Sequence, residues 1–116
     1  MYKINVNSLQ KRFEVNASGM FKKEEAIAFL DELEEKIKTI NPKEYTLVIN
    51  AKDQKPSTPN VVPLQEKSIK LYVSTPFAKR YSIVIDSAIT NNQIKRLGKE
   101  ELLENITFIQ SIEEVK

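Results

Sequence analysis

The sequence predicts a single α/β domain, residues 1–116, in which helices pack against one mixed sheet. With 116 residues, of which 41% are hydrophobic and 29% charged, the chain has the size and balance of one soluble globular domain. Segments with the two-residue period of strands alternate along it with segments of helical period. The predicted order is β-β-α-β-α-β-α-β-α, and only the opening hairpin must be antiparallel.

The opening hairpin is predicted from alternating polarity. Apolar and polar residues alternate in YKINVN, which begins at Tyr2, and again in RFEVNA, which begins at Arg12. This is the period of half-buried strands. The four residues between the two segments are enough to join them as a hairpin, and Gly19 is expected to end the second strand.

The first helix is predicted over residues 21–40. Glu24 and Glu25 complement the positive end of its dipole, although no residue before them is a good N-cap. Asn41-Pro42 ends it, because the residue before a proline disfavours the helical region. The apolar stripe of this helix is predicted to consist of Ile27, Leu30, Leu33, Ile37 and Ile40.

A strand–helix–strand unit follows. The two strands, residues 45–51 and 81–86, have continuous apolar centres, as strands covered on both faces do. Asn60 is a suitable N-cap for the helix between them, and Pro63 would lie in its first turn, where a missing N–H is harmless. The unit predicts that the two strands are parallel. The apolar face of the helix is predicted to consist of Val61, Leu64, Ile69 and Tyr72.

The C-terminal part is predicted to add a helix, a strand and a helical turn. The helix covers residues 91–104, with Gly98 in its interior, and the strand covers residues 106–109. Ser111 and Glu114 then form an S-x-x-E capping box for the last turn.

The composition excludes several kinds of catalytic site. The chain has no cysteine and no histidine, which removes thiol nucleophiles, disulfides, histidine bases and the usual zinc sites. Its two glycines cannot build a G-x-G-x-x-G turn or a Walker-type phosphate loop. We therefore expect a protein that is not an enzyme and that holds no cofactor and no metal.

Charge and hydropathy indicate a cytoplasmic protein that binds neither nucleic acid nor membranes. The 18 basic and 16 acidic residues leave a net charge of +2 and are evenly interspersed. No apolar run reaches the roughly 18 to 20 residues of a membrane span, and the N-terminus lacks a secretory apolar core. Aromatic residues recur at core-facing positions, which favours packing over base stacking; they are Tyr2, Tyr45, Tyr72, Tyr81 and Phe108.

The order of elements, together with three local patterns, resembles the STAS or anti-sigma-factor-antagonist-like fold, including its SpoIIAA-like relatives. The first pattern is a glycine and an aromatic residue entering an acidic helix, GMFKKEEAIAFLDELEE. The others are a buried strand that leads into a loop and helix, YTLVINAKDQ, and a terminal strand ending in Ser-Ile-Glu-Glu, ITFIQSIEEVK. The likeness spans nearly the whole chain. It implies a STAS-like regulatory domain that binds another protein.

The resemblance also points to residues 51–63, AKDQKPSTPNVVP, which hold three of the five prolines. In that family a serine at the start of the second helix, often in an Asp-Ser-Ser-Gly-like run, switches partner binding when it is phosphorylated. A phosphate there would interact with the unpaired N–H groups of the helix. The implied partner-binding or regulatory loop consists of Asp53, Lys55, Ser57, Thr58 and Asn60.

The same residues allow a plainer interpretation. No acid precedes Ser57 and no glycine follows it, so the segment is also what a polar loop held extended by Pro56 and Pro59 would look like. Asp53 and Asp86 each follow a predicted strand, where they could hold a divalent ion or simply end the strands. Basic residues near the same strand ends could form a small-anion site; they are Lys52, Lys55, Lys79 and Arg80. In the alternative interpretation, these side chains are simply solvated, as scattered lysines at strand ends usually are.

The predicted function is therefore non-enzymatic binding of another protein. Two alternatives stay open. One is a structural or assembly subunit, bacterial or phage, that acts by self-association as a homo-oligomer. The other is a small-ligand-binding domain, or an unusual enzyme, that uses the carboxyl edge of the sheet and requires a concave pocket there.

Overall fold

The computed structural model describes residues 1–83 and 105–115, in which the chain forms a five-stranded sheet and two helices. The third predicted helix, residues 91–104 with Gly98, lies outside these residues, as does the end of the fourth predicted strand with Asp86. The strands are β1 (Tyr2–Asn7), β2 (Arg12–Gly19), β3 (Thr46–Gln54), β4 (Lys79–Ile83) and β5 (Thr107–Ile109). The helices are α1 (Lys23–Lys38) and α2 (Val62–Ser74), and short 3-10 turns lie at Pro42–Glu44 and Ile112–Glu114.

The strands lie in the sheet in the order in which they occur along the chain. β1 pairs antiparallel with β2, whereas β2, β3, β4 and β5 pair parallel with one another. Parallel neighbours require a crossover connection, and α1 and α2 provide it before and after β3. The predicted α/β class, the opening hairpin and the parallel strands on either side of α2 are confirmed.

β3 is longer than predicted. It continues beyond Ala51 to Gln54 because β2 also continues, to Gly19, and Gly19 lies opposite Gln54. The register shifts between Asn16 and Ser18, which is the mark of a β-bulge or similar irregularity. Pairing with β2 therefore keeps residues 52–54 extended, although this polar segment has no strand-like pattern of its own.

The buried face of α1 differs from the predicted stripe. Ile27, which was predicted to be buried, is 42% exposed, and Phe29, which was not included, is buried at 7% exposure. The Phe29 ring packs against Tyr2 and Phe21, with centroids 5.1 and 5.9 Å apart. These aromatic contacts turn the buried face toward Ala26 and Phe29 and away from Ile27. The buried residues of α1 are Ala26, Phe29, Leu30 and Leu33.

The core lies on both faces of the sheet. The larger cluster joins α1 and α2 to side chains that include Phe13, Leu47 and Ile49, all buried. On the opposite face Val48, between Leu47 and Ile49, packs in a smaller cluster whose other buried members are Ile83, Ile109 and Val115. The prediction that β3 is covered on both faces is confirmed. Phe108, in contrast, was predicted to be a core residue and is 41% exposed.

The C-terminal turn brings Val115 to the smaller cluster. The carboxylate of Glu114 accepts a hydrogen bond from the backbone N–H of Ser111 at 3.0 Å, and the predicted capping box is present. The same carboxylate accepts from the N–H of Gln110 at 2.6 Å. This local turn thus directs the buried Val115 onto the sheet face without α1 and α2.

Replacing Gly19 with alanine is expected to lower the free energy of unfolding by about 1–2 kcal/mol, because Gly19 has a φ of +70°, in the left-handed region. A Cβ there would meet no atom within 4 Å, so the effect comes from the backbone alone. Urea unfolding measures it. Ser18→Ala, one residue earlier in β2, is the control; equal effects of the two changes would contradict the prediction.

Candidate functional site

The connection from β3 to α2, residues 55–61, which we call the β3–α2 loop, is held at both ends by backbone hydrogen bonds. At its start the N–H of Lys55 donates to the carbonyl of Gly19 at 2.9 Å. At its end the N–H groups of Val61 and Val62 donate to the carbonyl of Thr58 at 2.9 and 3.1 Å. The exposed residues between these anchors, Pro59 and Asn60, are therefore presented on a fixed turn.

Two hydroxyl groups of the loop have side-chain partners. The Ser57 hydroxyl donates to the amide oxygen of Gln65, on α2, at 2.8 Å, and it is partly buried. The Thr58 hydroxyl donates to the side-chain oxygen of Asn60. The structure thus brings Ser57, Thr58 and Asn60 together in front of the N-terminus of α2.

The predicted N-cap of α2 is wrong. Val61, not Asn60, occupies the cap position, and no side chain there caps the helix. The reason is that a turn precedes the helix: the carbonyl of Thr58 accepts from Val61 and Val62, while the side chain of Asn60 is engaged with Thr58. Pro63 lies in the first turn of α2, as predicted.

The other two predicted loop residues lie apart from this group. Asp53 is within β3, opposite Ser18, and is exposed. It lines a shallow groove together with Asn16 and Asn50. Lys55 is exposed and contributes its backbone N–H to the anchor. The predicted group of five residues is therefore divided between the groove and the loop.

The sequence also suggests a divalent-ion site at Asp53 and Asp86. Among residues 1–83 and 105–115, no three Asp, Glu, His or Cys residues lie close enough to hold a metal ion, and Asp86 is outside these ranges.

None of the helices in the described part of the chain is long and apolar enough to span a membrane.

The predicted small-anion site that includes Arg80 is not supported by the position of the Arg80 guanidinium group. Arg80 is within β4, and its Nε donates to the carbonyl of Tyr72 at 2.8 Å. Its Nη2 donates to the carbonyls of Val73 and Thr75 at 3.1 and 2.6 Å. Arg80 thus satisfies the free carbonyls at the C-terminus of α2, a helix with no basic residue in its last turn.

A feature that the sequence did not predict is an apolar cavity of about 90 Å³ beneath the β3–α2 loop. Its described walls come from β2, α1, β3, α2, β4 and β5. Alanines from three different elements face it, namely Ala17, Ala26 and Ala51, and their small side chains leave the space open. Because these alanines are far apart in the chain, no local pattern indicates the cavity.

The cavity wall also contains polar groups. Ser57 and Gln65 line it from the loop and from the first turns of α2. The Ser68 hydroxyl, also on the wall, donates back to the carbonyl of Leu64 at 3.0 Å.

Tyr72 is the unusual polar residue of this wall. It is only 6% exposed, and among the residues that the structure describes its hydroxyl has no hydrogen-bond partner. Burial raises the pKa of the Tyr72 hydroxyl above its ordinary value, so the group is neutral and able to donate a hydrogen bond at neutral pH.

Comparisons of the chain with models of known protein families, with curated proteins and with solved structures found no match. No role can therefore be transferred from a relative to Ser57, Thr58 or Tyr72. The function is therefore argued from the geometry of the site, which consists of the anchored β3–α2 loop and the apolar cavity below it.

Proposed function

We propose that this protein is a non-enzymatic regulatory domain of STAS-like type that binds another protein through the β3–α2 loop. The observation that carries the proposal is the way in which this loop is built. Backbone bonds hold it at Lys55 and Thr58, while Pro59 and Asn60 are exposed between β3 and α2. Such a fixed, exposed turn can contact a partner without the entropy cost of ordering a mobile segment.

The resemblance to the STAS-like family supports the same surface, since the family's switch serine lies at the start of the second helix. Here Ser57 occupies the approach to α2, with its hydroxyl bonded to Gln65. A phosphate on Ser57 could no longer donate this hydrogen bond, and it would add nearly two negative charges beside the partly buried turn. Phosphorylation would therefore rearrange the surface that we propose contacts the partner.

The Ser57→Glu variant is expected to bind the partner at least about tenfold more weakly than the wild type, because its charge imitates the phosphate. The partner is first identified by affinity capture of the tagged protein from lysate of its source organism. The affinity is then measured by calorimetry with the purified partner. Thr58→Glu tests the neighbouring hydroxyl, and mass spectrometry of the captured bait shows whether either residue is modified.

Ser8→Glu is the matched control, because it places the same charge on an exposed residue of the β1–β2 turn, at the opposite end of β2. It should bind the partner as the wild type does. Capture of no stoichiometric partner, together with an unmodified Ser57 peptide, would reduce the loop to a spacer stiffened by proline and would refute the proposal.

The assembly-subunit alternative has one observation in its favour. β1 lies at the edge of the sheet, and an edge strand can pair with a second copy of the chain. However, the ammonium group of Lys36 donates to the carbonyl of Ile4 on this strand at 2.7 Å, which covers part of the strand. Sedimentation velocity over a range of concentrations separates a self-associating subunit from a monomeric binding domain.

A further inference from the structure

We infer that the cavity beneath the β3–α2 loop is a binding site for a small, neutral and mainly apolar molecule that carries one hydrogen-bonding group. The cavity shares Ser57 with the contact surface proposed for a protein partner, but the inference does not depend on that proposal. Two observations lead to it: the open space between the sheet and the helices, and Tyr72, a buried residue of the wall whose hydroxyl has no hydrogen-bond partner among the described residues.

The size and walls of the cavity determine the class of ligand. A volume of about 90 Å³ equals the space of about three water molecules in the liquid, or of one small ring. Its walls are predominantly apolar; they include Val15, Phe29, Ile49, Val61 and Ile69. An engineered apolar cavity of about 150 Å³ stays dry and binds benzene, and the present cavity is of the same order of size.

The Tyr72 hydroxyl determines the polar part of the ligand. A buried polar group almost always has a hydrogen-bond partner, because leaving it without one is unfavourable. In the described part of the chain, no residue provides such a partner for this hydroxyl. A ligand oxygen in the cavity would accept a hydrogen bond from this hydroxyl, while the rest of the ligand contacts the apolar walls.

The charges around the cavity favour a neutral ligand. Among the residues that line it in the described ranges, none is Asp, Glu, Lys or Arg. A charged ligand would therefore lose its hydration without gaining an opposite charge. Ser57 and Ser68 also line the wall, but their hydroxyls already donate to Gln65 and to the carbonyl of Leu64. They therefore do not compensate for the lost hydration of a charged ligand.

Phenol and benzene are the probes that test the inference, since they differ by a single hydroxyl. Binding is followed by calorimetry and by NMR chemical shifts of the full chain. We expect both to bind the wild type. In Tyr72→Phe, which keeps the ring and removes the hydroxyl, the ratio of the phenol affinity to the benzene affinity should fall about tenfold. An unchanged ratio would show that the Tyr72 hydroxyl does not bond to the ligand and would contradict this part of the inference.

Filling the cavity tests its location. Ala26→Leu extends a side chain of the cavity wall into the space and should abolish binding of both probes. Ala28→Leu makes the same change on an exposed position of α1 and should leave binding intact. If Ala26→Leu fails to fold, Ala51→Val, which adds fewer atoms to the same wall, replaces it.

Two results would overturn the inference. One is the failure of the folded wild type to bind either probe at millimolar concentration. The other is binding that persists in the cavity-filling variant that folds. Because these measurements use no protein partner, they are independent of whether the β3–α2 loop acts as proposed.

Discussion

Replacing Leu33 with alanine is expected to lower the free energy of unfolding by about 2–5 kcal/mol. Leu33 is fully buried, at 0% exposure, in the cluster that joins α1 to the sheet. The shorter side chain gives up the transfer free energy of the lost carbons and leaves a space that well-packed neighbours fill only in part. Urea unfolding followed by circular dichroism measures the change.

Ile27→Ala is the control for this prediction, because it removes an aliphatic side chain of similar size from the same helix. Ile27 is 42% exposed, so its replacement should change the free energy of unfolding by less than about 1 kcal/mol. The pair also tests which face of α1 is buried. Equal losses at Leu33 and Ile27 would mean that the face predicted from the sequence is the buried one.

Replacing Arg80 with alanine is expected to lower the free energy of unfolding by about 2–4 kcal/mol, since hydrogen bonds from a charged donor are among the stronger ones. Its guanidinium group donates to the carbonyls of Tyr72, Val73 and Thr75, which lose this donor in the variant. The positive charge near the C-terminus of α2 is lost as well. Chemical unfolding gives the size of the effect, and amide hydrogen exchange should show fraying in the last turn of α2.

Lys79→Ala is the matched control. Lys79 precedes Arg80 in β4 and is exposed, so its loss should stay within about 0.5 kcal/mol. Arg80→Lys should recover only part of the stability, because a single ammonium group cannot reproduce the planar fork that reaches several carbonyls. Full recovery with lysine would show that charge alone, and not the geometry of the hydrogen bonds, matters at this position.

The sequence predicted where in the chain the candidate site lies, but it did not predict how the residues of the site are arranged. The prolines and hydroxyl residues after the third strand predicted a loop there, and the structure has one, with Pro63 in the first turn of α2. The division of the five residues was not predictable. Asp53 becomes part of β3 because Ser18 lies opposite it, and this pairing joins segments 35 residues apart.

The amino-acid sequence alone is enough to predict those features that depend on neighbours a few residues away. The alternating strands of the hairpin, the helical period of α1 and α2 and the capping box of Ser111 and Glu114 all arise in this way. Each is set by backbone geometry and side-chain spacing within one or two turns. These features sufficed to predict the α/β class.

Other features arise only when residues that are distant in the chain meet in the folded protein. Aromatic contacts with Tyr2 and Phe21 place Phe29, not Ile27, on the buried face of α1. Arg80 reaches the end of α2 because β4 passes beside it. The cavity exists because small side chains from β2, α1 and β3 face one another. In each case packing in three dimensions, which sequence periodicity does not encode, determines the outcome.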